Sequence, residues 1–490
     1  MSKLSTPLRR KVGILTFGDG RDFLKAPIEP VCAQFEAQLR ARFEAAGYEV
    51  VTAGELIWTN ELAQKHGRAL AAAGVHCTVF NFPVWAWPQF ARVAAQFVPQ
   101  PLVLFASFNP QYPGLVGMLA NAGSLEQVGT RLYKTFGDIT EEATWQGVRA
   151  RVDAICALNM LRGQTYAHIG GRSLGIDTAV ADPALWMKLF GVDVDHVDQM
   201  ELVRRSEAII ARRDRVEAAM EYLQRHVRRI HWTAPDAAMR LTPELLRRQL
   251  GMYYAAVDLA EEFGYDFCGI KGQRELTEHY ATADVPEAFL NDPYGPAGEP
   301  HEPFVCATEA DMDAALTMQV FKLLTGRPAL FADIRHYHMA EGVWDLCNSG
   351  QHATYFAARS LDPVENLART EFRPEGFYFP AGGASVYHIA APGEVTLARL
   401  RRTGDTNRYR MTIVHGEFVS FGAERDEALA TSVQDNWPHA FARLDCGFEE
   451  FIAAFSCNHI HGTYGNHVAA LETFCESAGI ECEVAGKRGV

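Results

Sequence analysis

The sequence predicts an α/β protein: two doubly wound parallel-sheet domains, then a β-rich, barrel-like carboxyl-terminal domain. Three observations carry this. The first third alternates apolar runs with helical stretches, and a second alternating block begins near Thr165. From about Gln351 the texture changes to short β-rich segments separated by turns: ASVYHIA, GEVTLARL, RYRMTIV and GEFVSFG. Alternation of strand and helix argues for parallel sheets; consecutive strands argue for an antiparallel sheet or barrel. The domains expected are residues 1–163, 164–352 and 353–490.

In chain order, strands are expected at Lys11–Phe17, Val75–Phe80 and Pro101–Ala106. Helical spacing of Val31, Phe35, Leu39 and Phe43 follows the first strand, and another helix is expected over Glu141–Arg162. The apolar run Val12–Phe17 is short and is broken by Asp19 and Arg21, so it reads as a first strand and not as a signal peptide. The second block opens with TYAHIGGRSLGID and carries helices around Met200–His226 and Thr242–Phe263. A Pro/Gly-rich loop, Asp292–Pro303, has the character of a pocket rim. The chain ends with a helix near His467–Ala478 and a short strand.

With 490 residues there is material for several domains, and a formal charge of −14 disfavours nucleic acid or an anionic membrane as partner. Ten cysteines without a CxxC pair read as reduced thiols of a cytoplasmic protein. No apolar stretch is long enough to span a membrane. No GxGxxG or GxxxxGKS motif is present, which removes dinucleotide binding and P-loop chemistry.

The chemistry points to two acids. Glu309 follows the apolar run Pro303–Ala307, and Asp333 follows Pro328–Ala332, with helical spacing of Met312, Leu316, Val320 and Leu323 between them. Strand, helix, strand over this length reads as a βαβ unit, with both carboxylates at the carboxyl edge of one parallel sheet. Carboxylates on neighbouring strands repel unless a proton or cation lies between them. The plainer reading is helix capping, with Thr308 and Asp311 resembling a capping box. FSCNHIHGTYGNH then supplies His459, His461 and His467 as candidates for a third ligand. His459 follows an apolar run and shares a strand face with His461; His467 begins a helix. His336 and His338 could line the same edge, and Arg335 could neutralise a nearby acid.

IGGRSLGID, GIKGQRELTEHY, EPFVCATEADMDAALTMQVFKLLTG, FADIRHY, NSG and CNHIHGTYGNHVAALETF occur in the order found in the L-fucose isomerase family. The chain resembles that family, more faintly in its first third through KVGILTFGDGR. The resemblance implies two flavodoxin-like domains, a β-rich third domain, and an aldose–ketose isomerase acting on a monosaccharide. It implies a divalent cation, manganese with magnesium or cobalt as substitutes, held by Glu309, Asp333 and His459. The two carboxylates would also form the proton-transfer pair. Gln273, Arg274, Asn458 and Trp437 would lie near the sugar. Arg21 and Trp87 would reach a neighbouring subunit's site in a homo-oligomer, a hexamer by resemblance. The arabinose-type branch has a further histidine ligand, for which NSGQHA offers Gly350 and His352. The sugar expected is L-fucose or D-arabinose, with a 6-modified hexose such as sulfoquinovose as the alternative. The rivals are a non-catalytic sugar-binding protein and a metal-dependent hydrolase or aldolase.

Overall fold

The computed structural model describes residues 8–349, 351–404 and 408–487. Gly350 lies outside the described residues. The described chain divides into two units, residues 8–162 with 469–478, and residues 163–468 with 479–487.

The amino-terminal unit runs β1 (Lys11–Thr16), α1 (Asp22–Ala45), β2 (Glu49–Thr52), α2 (Asn60–Ala73), β3 (Cys77–Asn81), α3 (Pro88–Ala95), β4 (Leu102–Ser107), α4 (Gly114–Glu126), β5 (Leu132–Gly137) and α5 (Glu142–Leu161). Its parallel sheet has the order β2-β1-β3-β4-β5, the flavodoxin-like winding. Side chains alternate across it. Val12, Ile14, Val79, Val103 and Phe105 pack on one face, and Leu15, Phe80, Leu102 and Leu104 on the other. Burial of both faces explains why these strands read as unbroken apolar runs.

The other unit begins with β6 (Thr165–Ile169), α6 (Pro183–Phe190), β7 (Asp193–Val197), α7 (Gln199–Arg212), α8 (Asp214–His226) and β8 (Arg229–Ile230). It continues through α9 (Pro243–Phe263), β9 (Phe267–Ile270), α10 (Glu275–His279), α11 (Asp284–Asn291), β10 (Cys306–Thr308) and α12 (Met312–Thr325). The helix expected over Met200–His226 is two helices, broken at Arg213, whose φ is +66°. Strands β6, β7, β9 and β10 form a parallel sheet of order β10-β9-β6-β7, the same winding with one strand fewer.

The remaining strands are β11 (Leu330–His338), β12 (Val343–Leu346), β13 (Glu371–Pro374), β14 (Ala384–Tyr387), β15 (Gly393–Thr403), β16 (Arg408–Phe418), β17 (Ala440–Leu444), β18 (His459–Tyr464) and β19 (Glu481–Val484). Six of them run β15-β18-β11-β12-β17-β16, and pairing of β15 with β16 closes the barrel; β19 adds to β16 outside the ring. The expected segments RYRMTIV and GEFVSFG prove continuous across β16.

One expectation is corrected. Glu309 and Asp333 do not top neighbouring strands of one parallel sheet. Glu309 follows β10 of the parallel sheet, whereas Asp333 lies within β11 of the barrel, antiparallel to β12 and β18. The cause is α12, which is buried from Met312 through Phe321. It is covered on every side, its few polar residues Asp313, Thr317 and Gln319 being buried with the apolar ones. It packs against β9 and β10 and against β15 and β18, so it carries the chain from sheet to barrel.

Candidate active site

Glu309 enters the site from a strained turn. It and Ala310 have φ of +60° and +51°, each costing on the order of 1 kcal/mol for a residue with a Cβ. The Ala310 amide donates to the Ile270 carbonyl at 3.0 Å, which pins the turn to β9. Gly269 makes room for it: a Cβ there would come 2.8 Å from Ala310 Cα. The capping reading belongs to Asp311 alone, whose side chain accepts from the Ala314 amide at 2.9 Å at the start of α12. Glu309 is therefore not used as a helix cap.

Barrel register brings the other two groups together. Asp333 on β11 is the antiparallel cross-strand partner of His459 on β18, and directly opposed side chains leave a sheet on the same face. His459 Nε2 lies 3.2 Å from Glu309 Oε2 and 3.5 Å from Asp333 Oδ1. The imidazole is fully buried, while the two carboxylates keep partial exposure. Glu309 Oε2 and His459 Nε2 are close but not aligned, and neither has a hydrogen-bond partner in the structure. Asn458 Nδ2 donates to Asp333 Oδ1 at 3.0 Å. Arg335 stands 3.7 Å from Asp333 Oδ2, the neutralising position expected of it.

Behind His459 stands a carboxylate that reads from its local sequence only as a helix cap. Asp311 Oδ2 pairs with His459 Nδ1 at 2.7 Å and accepts from Arg399 Nη1 at 2.8 Å. Arg399, which no sequence motif singles out, is buried and donates in addition to Asp311 Oδ1 at 3.1 Å. Burial would raise the Asp311 carboxyl, but Arg399 and His459 hold it well below the usual carboxylate range. Burial would lower the His459 imidazole, yet Asp311 and Glu309 push it up to about 10. The Asp333 carboxyl is raised, mainly by burial.

The remaining expected residues divide. Gln273 lines a cleft together with Glu309, Glu287, Asp284 and Ser349. Trp437 is buried, donates its indole N–H to Glu375 Oε1 at 2.8 Å, and carries the Arg335 guanidinium 4.9 Å from its ring centroid. Arg274 is exposed and paired with Glu278 at 3.0 Å. His461 is buried against Arg399, 3.1 Å from Nη1, and not against the carboxylates. His467 is bonded locally to the Tyr464 carbonyl at 3.0 Å. His338 pairs with Asp345 at 3.4 Å. His352 is buried with its ring 6.1 Å from that of His388. Arg21 and Trp87 belong to the amino-terminal unit. There Arg21 is held by Asp19 at 2.6 Å, and Trp87 stacks on Phe90 at 5.9 Å.

Among the described residues no group of three or more His, Cys, Asp or Glu side chains stands in an arrangement that could hold a metal ion as it is. No helix among them is long and apolar enough to cross a membrane, and among them the cysteines form no disulfide.

Comparison with known proteins agrees along nearly the whole chain. Models of the first N-terminal, second N-terminal and C-terminal domains of L-fucose isomerase match residues 9–163, 164–245 with 244–326, and 346–485. The chain is 26% identical over 470 residues to an L-fucose isomerase of Streptococcus pneumoniae, covering 82% of this chain and 79% of that one. An L-fucose isomerase of Klebsiella pneumoniae is 27% identical over 508 residues, covering 89% and 85%. With three successive domain models in agreement and the relatives aligned over most of their length, the chain belongs to the L-fucose isomerase family and is an aldose–ketose isomerase.

Proposed function

We propose that Glu309, Asp333 and His459 hold a divalent cation and that the site interconverts an open-chain aldose and its ketose through a cis-enediol. The observation that carries this is the meeting of two carboxylates on His459 Nε2, with Glu309 Oε2 and that nitrogen both unpartnered. Buried polar atoms without partners call for a ligand or an ion. Two oxygen donors with one imidazole suit manganese or magnesium better than softer metals. Bound there, the cation supplies Lewis-acid polarisation of the sugar carbonyl.

The chain's own residues do the rest. Asp311 takes the Nδ1 proton of His459 in a hydrogen bond, which fixes the ring and turns Nε2 toward the carboxylates. Arg399 holds Asp311 in place with two bonds. Glu309 and Asp333, both partly exposed, serve as the pair that removes the C2 proton and delivers one to C1. Asn458 orients Asp333 through the bond at 3.0 Å.

L-Fucose and D-arabinose are the proposed substrates, the former being what the relatives are named for.

The test is ketose formation from a panel of aldoses, with chelator and after manganese is restored. Turnover of a neutral aldose, abolished by chelation and recovered with manganese, is expected. Cation-independent turnover, or two products from one sugar, would contradict the reading.

A further inference from the structure

Asp333 is steadied from a distance. Arg335, 3.7 Å from Asp333 Oδ2, lies over the Trp437 ring, 4.9 Å from its centroid. Trp437 is buried, and its indole N–H donates to Glu375 Oε1 at 2.8 Å. The same ring packs on Phe379 at 6.0 Å, a side chain that lines the cleft with Glu309. Glu375 is 2% exposed and directly follows β13. Its backbone is fixed on both sides: the amide donates to the Gly383 carbonyl at 3.0 Å, and the carbonyl accepts from the Arg240 amide at 2.6 Å. Its carboxyl also meets that of Asp284 on α11.

An indole has a single N–H, and in a buried tryptophan the partner of that N–H sets which way the ring faces. A guanidinium is drawn to the face of the ring, so the tilt of Trp437 decides where Arg335 rests. We propose that Glu375 is a positioning residue for the isomerase reaction: by holding the Trp437 indole, it seats Arg335 beside Asp333. The proposal rests on the proton-transfer role of Asp333. Without that seat, Arg335 no longer steadies the carboxylate against the reacting carbons, and misplacement of a proton-transfer group costs rate. The bond that matters is the one accepted by Oε1. An amide at this position keeps it, because its oxygen can take the indole N–H while its nitrogen donates to Asp284.

The experiment measures kcat for the full chain at saturating manganese and aldose. The single variants are Glu375→Met, Glu375→Gln, Trp437→Phe and Arg335→Met; the first and third are also combined with Arg335→Met. Glu375→Met, which leaves the indole without its acceptor, is expected to lose about 10- to 100-fold. Glu375→Gln is expected to stay within about threefold of wild type. With Arg335 already replaced, Glu375→Met should cost less than about threefold, because residues acting through one another are not additive. A residue that merely holds the fold would cost the same in both backgrounds. If Glu375→Met fails to fold, Trp437→Phe removes the same bond from the other side, and its loss should shrink in the same way without Arg335. Equal losses in the two backgrounds, full activity of Glu375→Met, or a Glu375→Gln loss as large as that of Glu375→Met would overturn this inference alone. Near-normal turnover by Asp333→Asn would overturn the proton-transfer role of Asp333 and this inference together.

Discussion

Residue chemistry at the site makes distinct demands on its acids. Glu309 and Asp333 are assigned proton transfer, so Glu309→Gln or Asp333→Asn should lower kcat by about 10²- to 10⁴-fold with unchanged circular dichroism. Near-normal turnover in either variant would remove that residue from the pair. Asp311 acts through His459, to which it is bonded at 2.7 Å. Asp311→Asn should weaken manganese retention about 10- to 100-fold, read by metal content after dialysis at graded free manganese. Unchanged retention would reduce Asp311 to the N-cap of α12. Residue types made Glu309, Asp333 and His459 legible: two acids after apolar runs and a histidine after a third, within motifs resembling a known family. Asp311 was hidden because its cap role is local and visible in ATEADMDAAL, whereas its bond to His459 and its pairing with Arg399 exist only once the barrel has closed.

At the level of elements, the site depends on how closely β9 and β10 approach. Gly269 lies opposite Ala307 in the parallel pairing and leaves space for the Glu309–Ala310 turn. Gly269→Ala places a methyl 2.8 Å from Ala310 Cα, so the turn must shift. The variant should lose at least about tenfold in kcat/KM while secondary structure survives; full activity would show that Glu309 does not need this turn. Strand–helix–strand alternation was readable because doubly covered strands are continuous apolar runs and helices carry their own spacing. The destination of β11 was not readable. A strand leaving α12 has the same local pattern whether it joins the parallel sheet or a barrel, and its partner β18 lies far along the chain. The one visible hint was α12 itself, mostly apolar and without a broad charged face. The break between α7 and α8 escaped for a related reason: apolar spacing continues through Arg213, and only its φ of +66° marks the end.

Across the molecule, burial of acid groups ties stability to pH. Burial pushes the Asp284 carboxyl up to about 7, against hydrogen bonds from Thr282 and Glu375. Burial and Asp284 raise Glu375 well above its ordinary value. A folded-state pKa above the unfolded value means that the folded protein holds the proton more tightly. This contribution is complete below about pH 4 and is lost as pH rises through about 7, on the order of 4 kcal/mol. The thermal midpoint of the wild type should therefore fall between about pH 5 and pH 8 by more than that of Asp284→Asn; parallel curves would contradict a raised Asp284 carboxyl. The most direct measurement for the account is anomalous diffraction at the manganese edge from crystals of the manganese-loaded protein. A single strong peak bounded by Glu309, Asp333 and His459 is predicted. A peak elsewhere, or one that leaves His459 bound only to Asp311, would contradict it.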